Sequence, residues 1–333
     1  MRKRFLVKDK KLGWPYRSLF LLILLLVIST GVFAQPVPVA SNSGPICTGG
    51  SLNLYETGTG AVSWSWSSNG SATFDSKTIQ NPVVTGAVNG EIFTVEVTDS
   101  EGKTATASTT VTVTEDPSIT TQPASSIEEC VGGTTAISVV ATGGTPSLSY
   151  EWYSNTVNQP TGGTLVASGS SSYTPPGTVA GTTYYYCVVG ASGNGCGSVT
   201  SNTSAVTIVA DPSISTQPVT TLSECIGGAT AISVVATGGT PSLGYKWYSN
   251  TVNSNSGGTE ITGATGNSYI PPSTVAGTLY YYCTVSATGD GCGSVTSNTS
   301  AVTIVADPSI STQPVTTLSE CIGGATAISV VAT

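Results

Sequence analysis

The sequence predicts an all-β chain assembled from tandem copies of one module behind a short leader. Three observations predict it. Residues 195–237 (GCGSVTSNTSAVTIVADPSISTQPVTTLSECIGGATAISVVAT) recur letter for letter at 291–333. Surface positions of a fold are loosely specified, so 43 identical residues at a shift of 96 report duplication of a unit. Beyond residue 34, β-branched residues and spaced aromatics alternate with Gly, Ser and Thr turns, and helical periodicity is absent. Before it, seven of the ten basic residues precede a run of apolar ones, an arrangement of a different kind.

Those basic residues are Arg2, Lys3, Arg4, Lys8, Lys10, Lys11 and Arg17, and the apolar run is 19–28 (LFLLILLLVI). Val32 and Ala34 stand at −3 and −1 of a cut before Gln35. This is the three-part layout of a secretory signal peptide, so 1–34 is read as one. Ten strongly apolar residues fall short of the ~20 a bilayer span needs, which argues against an uncleaved anchor. No Cys follows the cut, which argues against a lipid anchor.

Without 1–34, three basic residues (Lys77, Lys103, Lys246) face 17 acidic ones, a charge of −14. Nucleic acid and anionic lipid require clustered Lys and Arg, so neither is an expected partner. No membrane insertion is expected once the leader is removed.

The unit is marked by recurring landmarks. Asp116, Asp211 and Asp307 each open an Asp-Pro-Ser-Ile stretch, and Cys130, Cys225 and Cys321 follow the same steps. Trp152 maps to Trp247, Cys187 to Cys283 and Cys196 to Cys292. The modules are therefore 35–115, 116–210, 211–306 and a truncated copy at 307–333. Asp-Pro reads as a short linker, because Pro denies a ladder its donor.

Strands follow from alternation. In 148–154 (LSYEWYS), Tyr150 and Trp152 share one face, Glu151 and Tyr153 the other. Residues 136–142 form a strand ended by Gly143-Gly144, and short strands stand near 165–167 and 171–174. Residues 182–189 and 199–209 form a hairpin. In the first module Val62, Trp64 and Trp66 alternate with Ser63, Ser65 and Ser67, a strand with one buried face. There 91–98 and 104–114 flank Asp99-Ser100-Glu101-Gly102, where Gly supplies the left-handed position of a hairpin turn.

Trp152 in a Tyr-x-Trp-Tyr strand, Tyr185-x-Cys187 in the penultimate strand and a last Val-Thr-Ile-Val strand resemble an immunoglobulin-type β-sandwich. The series Cys-Val-Gly-Gly, Trp-Tyr, Tyr-Tyr-Cys and Cys-Gly-Ser-Val-Thr-Ser resembles the Ig-like repeats of large bacterial surface proteins. Many of these are adhesin-like and exported by the type IX route. Residues 35–115 resemble their PKD-like modules. The resemblance implies tandem immunoglobulin-like β-sandwiches, beads on a string, displayed on or secreted from a Gram-negative cell. One departure stands out. The immunoglobulin pattern has its first Cys about where Val139 sits, whereas Cys130 lies earlier, so the antibody disulfide does not carry over.

Eight Cys in an exported chain imply oxidation. Each full copy holds three. The favoured pairs are Cys130–Cys196 and Cys225–Cys292, tying the start of a module to its last hairpin, with Cys187 and Cys283 as buried thiols. Cys130–Cys187 and Cys187–Cys196 stay open as alternatives. Cys47 has no evident partner in its module, where Lys103 occupies the hairpin position at which the family often has Cys. Zinc lacks a fourth ligand of the right type.

The chain has no His, which removes Ser-His-Asp and Cys-His catalysis and His-ligated metals. The one adjacent carboxylate pair, Glu128-Glu129, becomes Ser223-Glu224 in the next copy and reads as a solvated turn. No enzymatic activity and no cofactor are expected. Asp116, Asp211 and Asp307 offer too few oxygens for Ca²⁺ without an Asp-x-Asp run, and read as linker turns.

Trp152, Trp247, Tyr185 and Tyr281 are expected in the core. Tyr184, Tyr186, Tyr280 and Tyr282 point outward, either as a face for a sugar or as cover for the neighbouring strand. The functional expectation is a stalk or multivalent adhesive array whose partner is an extracellular or cell-surface polymer, glycan or protein. Each module would add ~30–40 Å of length. The alternative is a set of carbohydrate-binding modules attached to a secreted enzyme domain beyond residue 333. Residues 307–333 lack counterparts of Trp247 and Cys283, so the sequence is expected to continue and the fragment alone to stay unfolded.

Overall fold

The computed structural model describes residues 35–333, and the expected signal peptide lies outside the described residues. The chain divides into two compact units. One runs up to Asp116 and includes Gly143–Ser147 and Ala191–Gly197; the other comprises Pro117–Thr142, Leu148–Gly190 and Ser198–Thr333.

In the first unit a four-stranded sheet orders Ala40–Asn42, Leu52–Glu56, Val83–Thr85 and Thr73–Phe74. A three-stranded sheet orders Ser63–Ser68, Ile92–Thr98 and Thr104–Thr110. Alternation decides which side chains meet: Leu52 and Leu54 from one sheet are buried in one cluster with Trp66, Phe93, Val95 and Val97 from the other. Glu56 ends the alternating strand inside the unit. Its carboxylate accepts from Trp64 Nε1 at 2.9 Å and Gly58 N at 2.6 Å, which compensates its burial. The hairpin turn forms as read. Gly102 takes φ 84°, and Asp99 Oδ1 accepts from the amides of Glu101 and Lys103, both at 2.9 Å.

The second unit holds two β-sandwiches on one plan. In the first, a sheet orders Ser126–Cys130, Ser204–Val209, Gly181–Ala191, Leu148–Asn155 and Thr164–Ser168, with Ser198–Thr200 also paired to the long strand. Opposite it, Ser118–Thr121 pairs with Val140–Thr142, and Ile137–Ser138 with Ser172–Tyr173. Trp152, fully buried, fills the space between them with Ile137, Val139, Tyr185, Cys187, Val189, Val206 and Ile208. Its indole stacks on Tyr173 at 6.2 Å and its Nε1 donates to Ser170 O at 3.1 Å. The next copy repeats the arrangement with Trp247 on Tyr269 at 6.1 Å and Nε1 donating to Gly266 O at 3.0 Å. Trp247, Tyr281 and Cys283 lie in its core.

Four details depart from the sequence reading. Residues 136–142 are two short strands that pair with different partners, Ile137–Ser138 and Val140–Thr142. Residues 199–209 are also broken, because Ser201 Oγ turns to accept from Cys187 N at 2.9 Å, and Asn202 N donates to Gln122 Oε1 at 2.8 Å. The stretches after each Asp-Pro are strands. Ser126–Cys130 runs parallel to Ser204–Val209, a long-range pairing that no local turn signals. Glu128-Glu129 therefore lies in a strand and not in a solvated turn. Glu129 is fully buried and accepts from Thr135 N at 3.1 Å, bracing the Gly132-Gly133 turn.

In 307–333, only Ile310–Thr312 and Val331–Ala332 pair. Ile328 and Val330 remain 63% and 52% exposed, so this segment contributes no core.

Candidate functional site

Two elements recur at the ends of these modules, and they carry the cysteines other than Cys187 and Cys283, which lie in the cores. The first is a turn, Cys-x-Gly-Gly, that closes a strand. The amide of its fourth residue donates back to the Cys carbonyl: Gly50 to Cys47 at 3.0 Å, Gly133 to Cys130 at 2.9 Å and Gly228 to Cys225 at 3.0 Å. The second is a hairpin tip, Gly-Asn/Asp-Gly-Cys-Gly, at 193–197 and 289–293. Its turn closes through Cys196 N to Gly193 O at 3.0 Å and Cys292 N to Gly289 O at 3.1 Å. It is moored by Gly193 N to Thr145 O at 2.7 Å, and by Gly289 N to Thr240 O at 2.8 Å.

The Asp of each Asp-Pro-Ser-Ile stretch holds the other side of the tip. Asp116 Oδ1 accepts from Gly197 N at 3.1 Å, and Asp211 Oδ1 from Gly293 N at 3.2 Å. These carboxylates are occupied in fixing a hairpin, a role that sequence spacing did not reveal.

Disulfides join turn to tip, and each joins two different modules: Cys47–Cys196 across 149 residues and Cys130–Cys292 across 162. The expected pairs Cys130–Cys196 and Cys225–Cys292 are therefore corrected. Each tip cysteine bonds to the turn of the preceding module, because its own module presents it at the end away from its own turn. Cys47, without a partner in its own module, has one in the next. The open alternatives involving Cys187 are also not formed. Cys187 and Cys283 are buried free thiols, and burial pushes both up to about 11. Val139 and Cys187 share the core where the antibody pattern would place a disulfide.

Backbone contacts accompany each bridge. Cys47 N donates to Asn194 O at 2.9 Å, and Cys130 N to Asp290 O at 2.8 Å. The Asx side chain then grips the turn. Asn194 Nδ2 donates to Ser51 Oγ at 3.1 Å; Asp290 Oδ2 accepts from Thr134 N at 2.6 Å and from the hydroxyls of Thr134 and Thr135 at 3.4 Å. The Thr134 amide holds the Asp290 carboxyl below its ordinary pKa.

Glycine is required by closeness as well as by φ. Gly291 has φ 74°, and a Cβ there would lie 2.3 Å from Gly133 N; at Gly195 it would lie 2.3 Å from Gly50 Cα. Backbone cannot yield that distance. Gly291→Ala is therefore expected to lower the yield of the Cys130–Cys292 bridge several-fold, read as thiols that react with iodoacetamide under native conditions. Gly257→Ala, also at positive φ (70°) but with nothing within 4 Å, is the control that leaves the bridge intact. Equal bridging in the two variants would contradict the close-contact account.

The tyrosines divide by face. Tyr185 and Tyr281 are in the cores. Tyr186 and Tyr282 point to the other face but are also buried. Tyr186 stacks on Tyr153 at 5.2 Å and 9° and accepts from Gly163 N at 3.0 Å. Tyr282 does the same with Tyr248, at 5.0 Å and 8°, and Gly258, at 3.0 Å. Each ring covers its neighbouring strand. Of the two readings of these outward rings, cover for the neighbouring strand describes Tyr186 and Tyr282, while Tyr184 and Tyr280 are partly exposed. Among the described residues, no group of three or more His, Cys, Asp or Glu side chains is placed to hold a metal ion.

Residues 117–212 match the family model described as "Ig-like domain CHU_C associated". Among solved structures, the titin I-band fragment I67-I69 is 17% identical with a TM-score of 0.41, covering 82% of this chain and 100% of that one. Sidekick-1 immunoglobulin domains 1-4 are 15% identical with a TM-score of 0.36, covering 80% and 76%. Extracellular domains 3-5 of Drosophila OTK are 14% identical with a TM-score of 0.34, covering 82% and 97%. No curated protein matches. The family match falls on the first copy of the duplicated unit, and the second copy folds on the same plan, so the chain carries tandem Ig-like modules.

Proposed function

We propose that this chain is an exported, surface-displayed structural and adhesive protein. Its modules at 35–115, 116–210, 211–306 and 307–333, the first of them PKD-like, serve as a stalk or multivalent array. The observation that carries this reading is the pair of disulfides fastening one module to the next. An oxidising compartment is needed to form and keep them, and the basic-then-apolar segment ahead of Gln35 supplies the route out. With no His and with Tyr186 and Tyr282 engaged in packing, a scaffold with repeated faces fits the chain better than one reacting centre. Weak contacts to an extracellular polymer, repeated along it, would add by avidity. The Gram-negative cell surface is the setting that fits its family match.

The test is on the producing cell. Mass spectrometry of the surface fraction should find a chain beginning at Gln35 with Cys47, Cys130, Cys196 and Cys292 oxidised. A chain that begins at Met1, stays inside the cell and carries reduced thiols would contradict the proposal.

A further inference from the structure

The turn that receives a hairpin tip occurs a third time, at Cys225-Ile226-Gly227-Gly228, with its thiol exposed. Its shape is the same as that of the two bridged turns. Gly227 takes φ 86°, as Gly132 takes 94° and Gly49 takes 84°. Gly228 N donates to Cys225 O at 3.0 Å, and Glu224 Oε2 braces the turn from below by accepting from Thr230 N at 3.2 Å, as Glu129 does for Thr135. Cys225 also holds the same register as Cys130: it stands opposite Val305, as Cys130 stands opposite Val209.

Burial separates them. Cys47 and Cys130, each covered by a tip, are 0% exposed, whereas Cys225 is exposed and Ile226 beside it is 41% exposed. The donors that grip the Asx residue are largely kept. Ala229 retains the amide of Thr134 while losing its hydroxyl, and Thr230 retains the hydroxyl of Thr135.

We propose that Cys225-Ile226-Gly227-Gly228 is a docking surface for a further Ig-like module bearing a Gly-Asp/Asn-Gly-Cys-Gly hairpin. The docked hairpin closes a third inter-module disulfide. The Asx carbonyl accepts from Cys225 N, its side chain accepts from the amide of Ala229, and the second hairpin glycine lies against Gly228 without a Cβ. The bond forms by exchange with a small-molecule disulfide. The Cys225 and hairpin thiols lose two protons and two electrons, one S–S bond forms, and the small disulfide is reduced to two thiols. The proposal stands on the geometry of the two bridged junctions and is independent of the stalk reading.

The experiment supplies the partner within the full chain. One more copy of 211–306 is inserted after Ala306, its hairpin marked by Thr288→Ser at an exposed position, and the protein is folded in a glutathione redox buffer. Digestion without reduction should yield a peptide linking Cys225 of the original copy to the marked hairpin. Native alkylation of that Cys225 should fall at least tenfold relative to the parent chain. Adding Gly291→Ala to the inserted copy should reverse both. The Cys130–Cys292 peptide in the same digest reports that the junctions fold. If that peptide is present while Cys225 still alkylates, or Cys225 is found linked to Cys225 of a second molecule, the proposal is overturned. Absence of both bridges would overturn its basis.

Discussion

Pulled from its ends, the oxidised chain should show a contour length about 630 Å shorter than the reduced chain, at ~3.5 Å per extended residue. The figure comes from the way the two bridges interleave. Cys130 lies inside the Cys47–Cys196 loop and Cys196 lies inside the Cys130–Cys292 loop. Three covalent routes thus connect Cys47 to Cys292: 47–130, 130–196 and 196–292. The shortest contains 66 residues and limits extension to about 230 Å, against about 860 Å for the open chain. Loss of either bridge alone leaves 83 or 96 residues, about 290 or 340 Å, so one bridge still restrains most of the chain.

Pairing within modules predicts something else. Cys130–Cys196 and Cys225–Cys292 would hide 66 and 67 residues in separate loops and shorten the contour by about 470 Å. Force spectroscopy with and without reductant separates the two values. A single-bridge variant, Cys130→Ser, should recover only a sixth or so of the hidden length. Recovery of half would speak for separate loops.

Trp152→Ala should destabilise its sandwich by about 3–5 kcal/mol, the range for deleting a large buried aromatic. The ring is fully buried, contacts both sheets through one cluster and stacks on Tyr173. Its removal also strips Ser170 O of a donor, which adds about 1 kcal/mol where no water enters. Domains of this size hold roughly 5–15 kcal/mol in total, so the variant should approach unfolding at 37 °C. Trp152→Phe retains most of the volume but not the Nε1 hydrogen bond and should cost about 1–2 kcal/mol. Trp247→Ala should match Trp152→Ala to within about 1 kcal/mol, since its surroundings repeat. Denaturant unfolding of the oxidised proteins measures all three. A loss below about 1 kcal/mol for Trp152→Ala would contradict the placement of the core.

What the sequence shows of this fold is what alternation and repetition encode. Trp152 and Tyr150 stand two apart on a strand and both turn inward, and Gly102 marks a tight hairpin turn by its conformational need. Strands that depend on distant partners are poorly marked. Ser126–Cys130 contains two Glu and pairs in parallel with a segment almost eighty residues later, so neither composition nor a turn announces it. Tyr186 is outward by alternation yet buried, because whether an outward ring is covered depends on Tyr153 across the ladder and on a glycine amide. Alternation reports a face, not its exposure.

The junctions were half visible. Cys47, with no partner in its own module, was the visible sign; three Cys in each repeat gave none, since the third is a buried thiol whichever module supplies the partner. Counting across modules, Cys47 and Cys130 each find the tip Cys of the next. The aspartate at each Asp-Pro step gave no such sign, since its partner is a backbone amide, which any residue carries.

Bridges between modules are the central feature of this chain. Peptide mapping of the oxidised, unreduced protein tests them most directly: proteolysis with free thiols blocked, followed by mass spectrometry of linked pairs. Cys47 should be found linked to Cys196 and Cys130 linked to Cys292, with Cys187 and Cys283 alkylated only after unfolding. Recovery of Cys130–Cys196 and Cys225–Cys292 as the dominant linked peptides would contradict this pairing.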